Sequence, residues 1–190
     1  MKVILASSSP RRKELMKMFD IPFEIMVKET DEKLNSSKDC YNQCIDISYE
    51  KAKKVFNEIK DDNVIVIGSD TVVIYNNEIY GKPKNYLDAY NMIKQFSGNT
   101  HEVVSALSVL IRKDNKIYEE KTYDKCIVSV SNMTDEEISD WVDNHDVLSR
   151  AGSYAIQDGF AKYIEKIEGD YFSIVGLPVH KLYEILKKYL

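Results

Sequence analysis

The residues best suited to chemistry begin at Ser7-Ser8-Ser9-Pro10-Arg11-Arg12, which sets hydroxyls, backbone N–H groups and two guanidinium groups where a helix opens. The N-terminal end of a helix carries partial positive charge, so this junction suits a phosphate. The plainer reading is Ser9 as an N-cap, Pro10 at the first helical position and solvated arginines. Two arginines in a first turn oppose the helix dipole, and that placement hints at function. Asp70 closes an apolar run at Gly68-Ser69-Asp70-Thr71. A carboxylate at a strand end can hold Mg²⁺ or accept a proton from water, or simply make an Asx-turn. Glu32, in the acidic loop Glu29-Thr30-Asp31-Glu32, is a second candidate metal ligand or a solvated charge. Gly81-Lys82-Pro83 holds a lysine in a stiff turn after a strand, where it could meet phosphate with little entropy to lose. Lys51 is one lysine among several on its helix and earns no separate role from spacing.

Several common patterns are missing. The sequence has no G-x-x-x-x-G-K-[ST] loop, no G-x-G-x-x-G and no H-E-x-x-H. Its histidines are His101, His145 and His180, scattered, so Ser/His and Cys/His catalysis have little support. Cys40, Cys44 and Cys126 are an odd number without a disulfide-like spacing and read as buried or half-buried thiols. Chemistry in this chain therefore falls to carboxylates, cations and a metal, and the expected substrate is a phosphate-rich anion.

The elements that must position these groups follow from periodicity. Residues 3–6 form a buried strand, and Pro10 opens a helix with Leu15, Met18 and Phe19 on one face. Phe23, Ile25 and Val27 alternate as a second strand. A long helix over 39–59 repeats Ile45, Tyr49, Ala52, Phe56 and Ile59. The run 64–67 is a central strand ending at residues 68–70, and residues 72–74 and 78–80 flank an Asn76-Asn77 hairpin turn. Asn85 caps a helix that stops at Gly98. Strands over 101–111 and 116–130 join around Asp114-Asn115, Thr134 and Glu137 make a capping box, and Pro178 opens the last helix. Strands alternating with helices, then long adjacent strands, imply an α/β fold with a mixed sheet.

At 190 residues, 44% hydrophobic and 30% charged, the chain suits one domain or one compact unit with two lobes. A net charge of −5 argues against nonspecific nucleic-acid binding. No apolar run approaches a membrane span, and the opening apolar stretch is too short for a signal peptide, so the expected location is the cytoplasm.

Taken together, these segments resemble the Maf family of nucleotide pyrophosphatases. The resemblance rests on Leu5 to Arg12, Asp31-Glu32, Lys51-Ala52, Gly68 to Val73 and Gly81-Lys82-Pro83. It continues through Phe96 to His101, Ala151 to Gln157, Ile167 to Tyr171 and Val175 to Pro178. It implies one domain over 1–190, a two-lobed mixed-sheet fold related to the inosine triphosphate pyrophosphatases, with the nucleotide in a central cleft. The implied reaction is hydrolysis between the α- and β-phosphates, with Mg²⁺ or Mn²⁺, giving monophosphate and pyrophosphate. Carried over by position, Asp70 resembles the proton acceptor and, with Glu32, a metal ligand. Ser8, Arg12, Lys51 and Lys82 match the positions around the triphosphate. Arg11, Thr71 and Gln157 match the specificity markers of the subgroup acting on dTTP, UTP and modified pyrimidine nucleotides. A sister subgroup acting on 7-methyl-GTP has an aromatic at the first of these and an acid at the third. A neutral amide at 157 suits the imide edge of a pyrimidine because it both donates and accepts. Cys126 stands where the family would have threonine, a departure expected to touch packing. A nucleotide-binding regulator of septum formation is the rival reading, and a homodimer stays open.

Overall fold

The computed structural model describes residues 1–30 and 37–190, so the expectations for Asp31 and Glu32 lie outside the described residues. Among the described residues, seven strands form one mixed sheet: β1 (Lys2–Leu5), β2 (Glu24–Ile25), β3 (Val64–Tyr75), β4 (Glu78–Tyr80), β5 (Thr100–Lys113), β6 (Lys116–Val130) and β7 (Ile164–Glu168). Their order is β2-β1-β3-β5-β6-β7, with β4 paired to β3. The α-helices are α1 (Pro10–Lys17), α2 (Cys40–Glu58), α3 (Tyr86–Phe96), α4 (Asp135–Asn144), α5 (Tyr171–Val175) and α6 (Val179–Tyr189), with 3₁₀ turns at Ala151–Ser153 and Gly159–Tyr163. The mixed α/β class expected from the sequence is the observed one.

The chain divides into two compact units. The first comprises Met1–Asp70, Ser105–Asp124 and Gly176–Leu190; the second comprises Thr71–Val104 and Lys125–Val175.

In the first unit β1 pairs in parallel with β2 and with β3, in the register Lys2↔Val64 to Leu5↔Ile67. Ile4, Ala6, Val64, Val66 and Leu110 pack against Ala52, Val55, Phe56 and Ile59 of α2. Gly68 lets the strand and helix touch: a Cβ there would lie 2.2 Å from the Ser48 carbonyl oxygen and 2.9 Å from the Ala52 Cβ. No side chain fits at that distance, which is why the strand carries a glycine mid-run.

In the second unit the Tyr75–Glu78 hairpin turns through Asn76 and Asn77 with φ of 51° and 62°. Two consecutive residues at positive φ match the right-handed twist of the paired strands. Asn85 caps α3, accepting from the Asp88 N–H, and Thr134 and Glu137 make the expected capping box on α4. Trp141, Phe96 and Phe160 are each at most 1% exposed and fill the unit's core.

Three local expectations need correction. Helix α1 buries Leu15 and Met16, whereas Met18 is 55% exposed, because the helix ends at Lys17 and Met18 is its C-cap. The strand expected through Phe23, Ile25 and Val27 is only β2, with Ile25 and Val27 exposed: it lies at the sheet edge, paired to β1 alone. Residues 64–67 and 72–74 are not separate strands. β3 runs unbroken from Val64 to Tyr75, so Asp70 sits mid-strand. Periodicity had no signal for β7 or α5, both short and mostly exposed or turn-bounded.

Candidate active site

Asp70 gains its place from its neighbour strand. β1 pairs with β3 only as far as Ile67, and the Ala6 N–H closes the pairing by donating to the Ile67 carbonyl at 2.8 Å. Beyond that point β1 has turned away into Ser7-Ser8-Ser9, and Ser69 and Asp70 continue past its carboxyl end. Carboxyl ends of parallel strands are where α/β sites collect, and here the strand that ends is β1.

The Asp70 side chain is buried, and Lys51 Nζ donates to its Oδ1 at 2.7 Å. Lys51 and Asp70 side chains are 16% and 11% exposed, so their charges meet largely away from water and compensate each other there. Cys44, two turns before Lys51 on the same face of α2, places its Sγ 3.6 Å from the Asp70 carbonyl oxygen and 3.9 Å from Oδ2. Burial, then the Asp70 charge, pushes the Cys44 thiol up, with Arg12 and Lys51 pulling the other way. That thiol stays protonated and serves as a weak donor facing the carboxylate.

Ser9 caps α1 through the Arg12 N–H, as its position suggests. The Arg12 side chain is oriented by two bonds: Nε donates to the Gly176 carbonyl at 2.8 Å and a terminal nitrogen to Ser7 Oγ at 3.3 Å. Ser69 Oγ donates to the same Gly176 carbonyl at 3.1 Å. One carbonyl thus ties the arginine of α1 to the residue beside Asp70. Arg12, Lys51 and Asp70 are brought together in the first unit, while Ser8 is exposed and Arg11 half-buried at the start of α1. Ser69 and the Gly176 carbonyl were not foreseen; a backbone acceptor 164 residues away leaves no sequence signal. Cys44 did leave one, its seven-residue spacing from Lys51.

The second unit carries Thr71, Lys82 and Gln157. Thr71 is half-buried on β3, directly after Asp70 in the chain. Lys82 is exposed and followed by buried Pro83, and the Gly81 carbonyl accepts from the Gly152 N–H at 3.0 Å. Gly152 has φ of 66°, and a Cβ there would meet Val73 at 2.6 Å, so both conformation and space call for glycine. The turn holding Lys82 is thereby bonded to the segment leading to Gln157. Residues 152–156 are all buried and Gln157 is exposed. His101, 2% exposed, shares a 2.7 Å hydrogen bond with the Tyr154 hydroxyl, and burial lowers its pKa to about 4. His101 is therefore a neutral anchor. Cys126 is buried beside Gly169, with its Sγ donating to the Asp170 carbonyl at 3.2 Å, a packing role.

Among the described residues no group of three or more His, Cys, Asp or Glu side chains could hold a metal by itself, and no helix is long and apolar enough to cross a membrane.

A family model described as Maf-like protein matches residues 2–189. The chain belongs to the Maf family. Among its Maf relatives, a protein of Lachnoclostridium phytofermentans named dTTP/UTP pyrophosphatase is 41% identical over 189 residues, covering 99% of this chain and 95% of the relative. A Clostridium novyi protein of the same name is 42% identical over 188 residues, covering 97% and 96%. A solved dITP/XTP pyrophosphatase structure from Mycobacterium abscessus aligns with all of this Maf chain and 95% of its own, at TM-score 0.44 and 10% identity.

Proposed function

We propose that this chain is a nucleoside triphosphate pyrophosphatase that hydrolyses dTTP and UTP, with modified pyrimidine nucleotides, to the monophosphate and pyrophosphate. The observation that carries the reading is the cluster of Arg12, Lys51 and Asp70 around the carboxyl end of β1. It supplies a buried carboxylate with a bound cation, and a guanidinium held in place by backbone. Full-length relatives bearing that activity in their names support the same reading.

In the reaction Asp70 accepts a proton from the attacking water. The 2.7 Å bond to Lys51 and the Cys44 thiol hold its carboxylate in one orientation. Arg12, fixed by Gly176 and Ser7, stabilises charge that grows as the α–β bridge breaks. Lys51 and Lys82 add positive charge toward the phosphates, and Ser8 offers a hydroxyl donor. Arg11, Thr71 and Gln157 read the base.

A hard divalent cation fits the donor set: Mg²⁺ is commonly held by one or two carboxylates together with substrate phosphates. Asp70 offers carboxylate oxygens, and Glu32 is the second ligand implied by the family resemblance. When bound, Mg²⁺ or Mn²⁺ offsets phosphate charge and lowers the pKa of water. The expected place of action is the cytoplasm.

The test is a panel of nucleoside triphosphates with Mg²⁺ or Mn²⁺, scored for pyrophosphate. Pyrophosphate from dTTP and UTP, at higher kcat/KM than from ATP, GTP or 7-methyl-GTP, is the expected result. Orthophosphate and diphosphate would overturn the cleavage position. Nucleotide binding without turnover would instead make the chain a regulator.

A further inference from the structure

We infer that Arg150 and Asp158 are positioning residues for base selection, a clasp that holds Gln157 in the orientation a pyrimidine requires. The inference rests on the reading of Gln157 given above.

Arg150 donates through a terminal nitrogen to Asp158 Oδ2, closing a span of chain whose interior is residues 151–157. The pair is half-buried, with the Arg150 side chain 15% and the Asp158 side chain 33% exposed. The Arg150 Nε is buried with no hydrogen-bond partner among the described residues. A guanidinium drawn inward at the expense of one of its own donors reaches that position to meet a particular acceptor, and the acceptor is Asp158.

The span is held unevenly. Its upstream half is pinned by the Gly152 N–H to the Gly81 carbonyl at 3.0 Å, the Trp141 indole to the Ser153 carbonyl at 3.1 Å, and Tyr154 to His101 at 2.7 Å. All three fall on residues 152–154. On the Gln157 side, the Asp158 N–H donates to the Ala155 carbonyl at 3.2 Å, and the Asp158 carbonyl accepts from the Ala161 N–H at 2.9 Å. Asp158 is thus fixed by its backbone on both sides and by Arg150 through its side chain. It is bonded through the preceding peptide to Gln157, the one exposed residue in the run 152–157. A side chain presented from a pre-ordered segment loses less freedom on binding, so slackening the clasp weakens base recognition and leaves the phosphate chemistry alone.

The experiment compares Asp158→Asn, which keeps shape and removes charge, with Asp158→Glu, which keeps the charge, measuring kcat and KM for UTP and GTP. Ordering one side chain on binding corresponds to about 2–12-fold in affinity. Asp158→Asn should therefore raise KM for UTP about 3–10-fold with kcat within about twofold, and lower the UTP-over-GTP preference by a similar factor. Asp158→Glu should recover half or more of that loss. A fall in kcat at constant KM, or equal losses on both nucleotides, overturns the inference. Gln157→Ala runs beside them. If it reduces the preference and Asp158→Asn does not, the clasp alone is wrong; if it leaves the preference intact, base reading at 157 is wrong and the clasp falls with it. Should Asp158→Asn not fold, Arg150→Lys, which keeps the charge but loses the guanidinium geometry, is expected to give the same KM-selective loss, and its absence overturns the inference.

Discussion

Replacing Lys51 with methionine keeps most of the side chain's length and removes the ammonium that lies 2.7 Å from Asp70 Oδ1. Asp70 would then stay buried without that ammonium, with the Cys44 thiol still 3.9 Å from its Oδ2. Breaking a fully buried ion pair from one side costs roughly 3–5 kcal/mol. The two side chains keep 16% and 11% of their exposure, so some solvation persists and about 2–3 kcal/mol is expected. For a chain of this length that corresponds to a Tm lower by about 4–12 °C. Asp70→Asn in the same background removes the stranded charge with almost no change of shape, so Lys51→Met/Asp70→Asn should regain about 2 kcal/mol over additivity. Urea denaturation of the wild type, both single variants and the double variant at pH 7, followed by far-UV circular dichroism, measures that coupling. Turnover of UTP is read on the same four proteins. Asp70→Asn should lose about 10²–10⁴-fold in kcat, the usual worth of a general base. The double variant should be no more active than Asp70→Asn despite its regained stability. Additivity within about 0.5 kcal/mol would mean the pair behaves as a solvated surface contact, and near-normal turnover of Asp70→Asn would refute its assignment as proton acceptor.

Gln157→Glu should cost UTP and dTTP roughly 5–150-fold in kcat/KM, because a carboxylate cannot donate to a pyrimidine carbonyl and an unpaired group costs about 1–3 kcal/mol. Cationic 7-methyl-GTP should lose less, and an equal fall on all three nucleotides would make Gln157 structural. His101 adds a pH dependence. Its folded pKa of about 4 lies below the unfolded 6.5, so the unfolded chain binds the extra proton first. The contribution is present in full above 6.5 and is lost as pH falls toward 4, by up to about 3 kcal/mol. Urea titrations between pH 7 and 4 should show a slope that His101→Asn flattens; identical slopes would refute the assignment. Gly68→Ala should destabilise by about 1–3 kcal/mol, since its Cβ would meet backbone atoms of Ser48 and Ala52 that cannot step aside. A Tm unchanged from wild type would show that α2 is free to shift.

What could be read from the sequence is what short stretches of chain decide. The Asn76-Asn77 and Asp114-Asn115 turns and the Ser9, Asn85 and Thr134 caps depend on residues within about four positions of each other, and each stands where its local chemistry put it. The residue types at 12, 51 and 70 likewise announce cations and a carboxylate. Tertiary structure alone decided their relations. Lys51 meets Asp70 because α2 packs on β3 through Gly68, and Arg12 is aimed by a carbonyl 164 residues away. The strand-end argument for Asp70 rested on a strand that does not end there. β3 continues through it, and the end that matters belongs to β1, a strand 62 residues earlier by the pairing of Lys2 with Val64. Periodicity reports which face of an element is apolar; it carries no information on which neighbour ends first, and in this fold that difference leaves Ser69 and Asp70 beyond the last residue of β1 that pairs with β3.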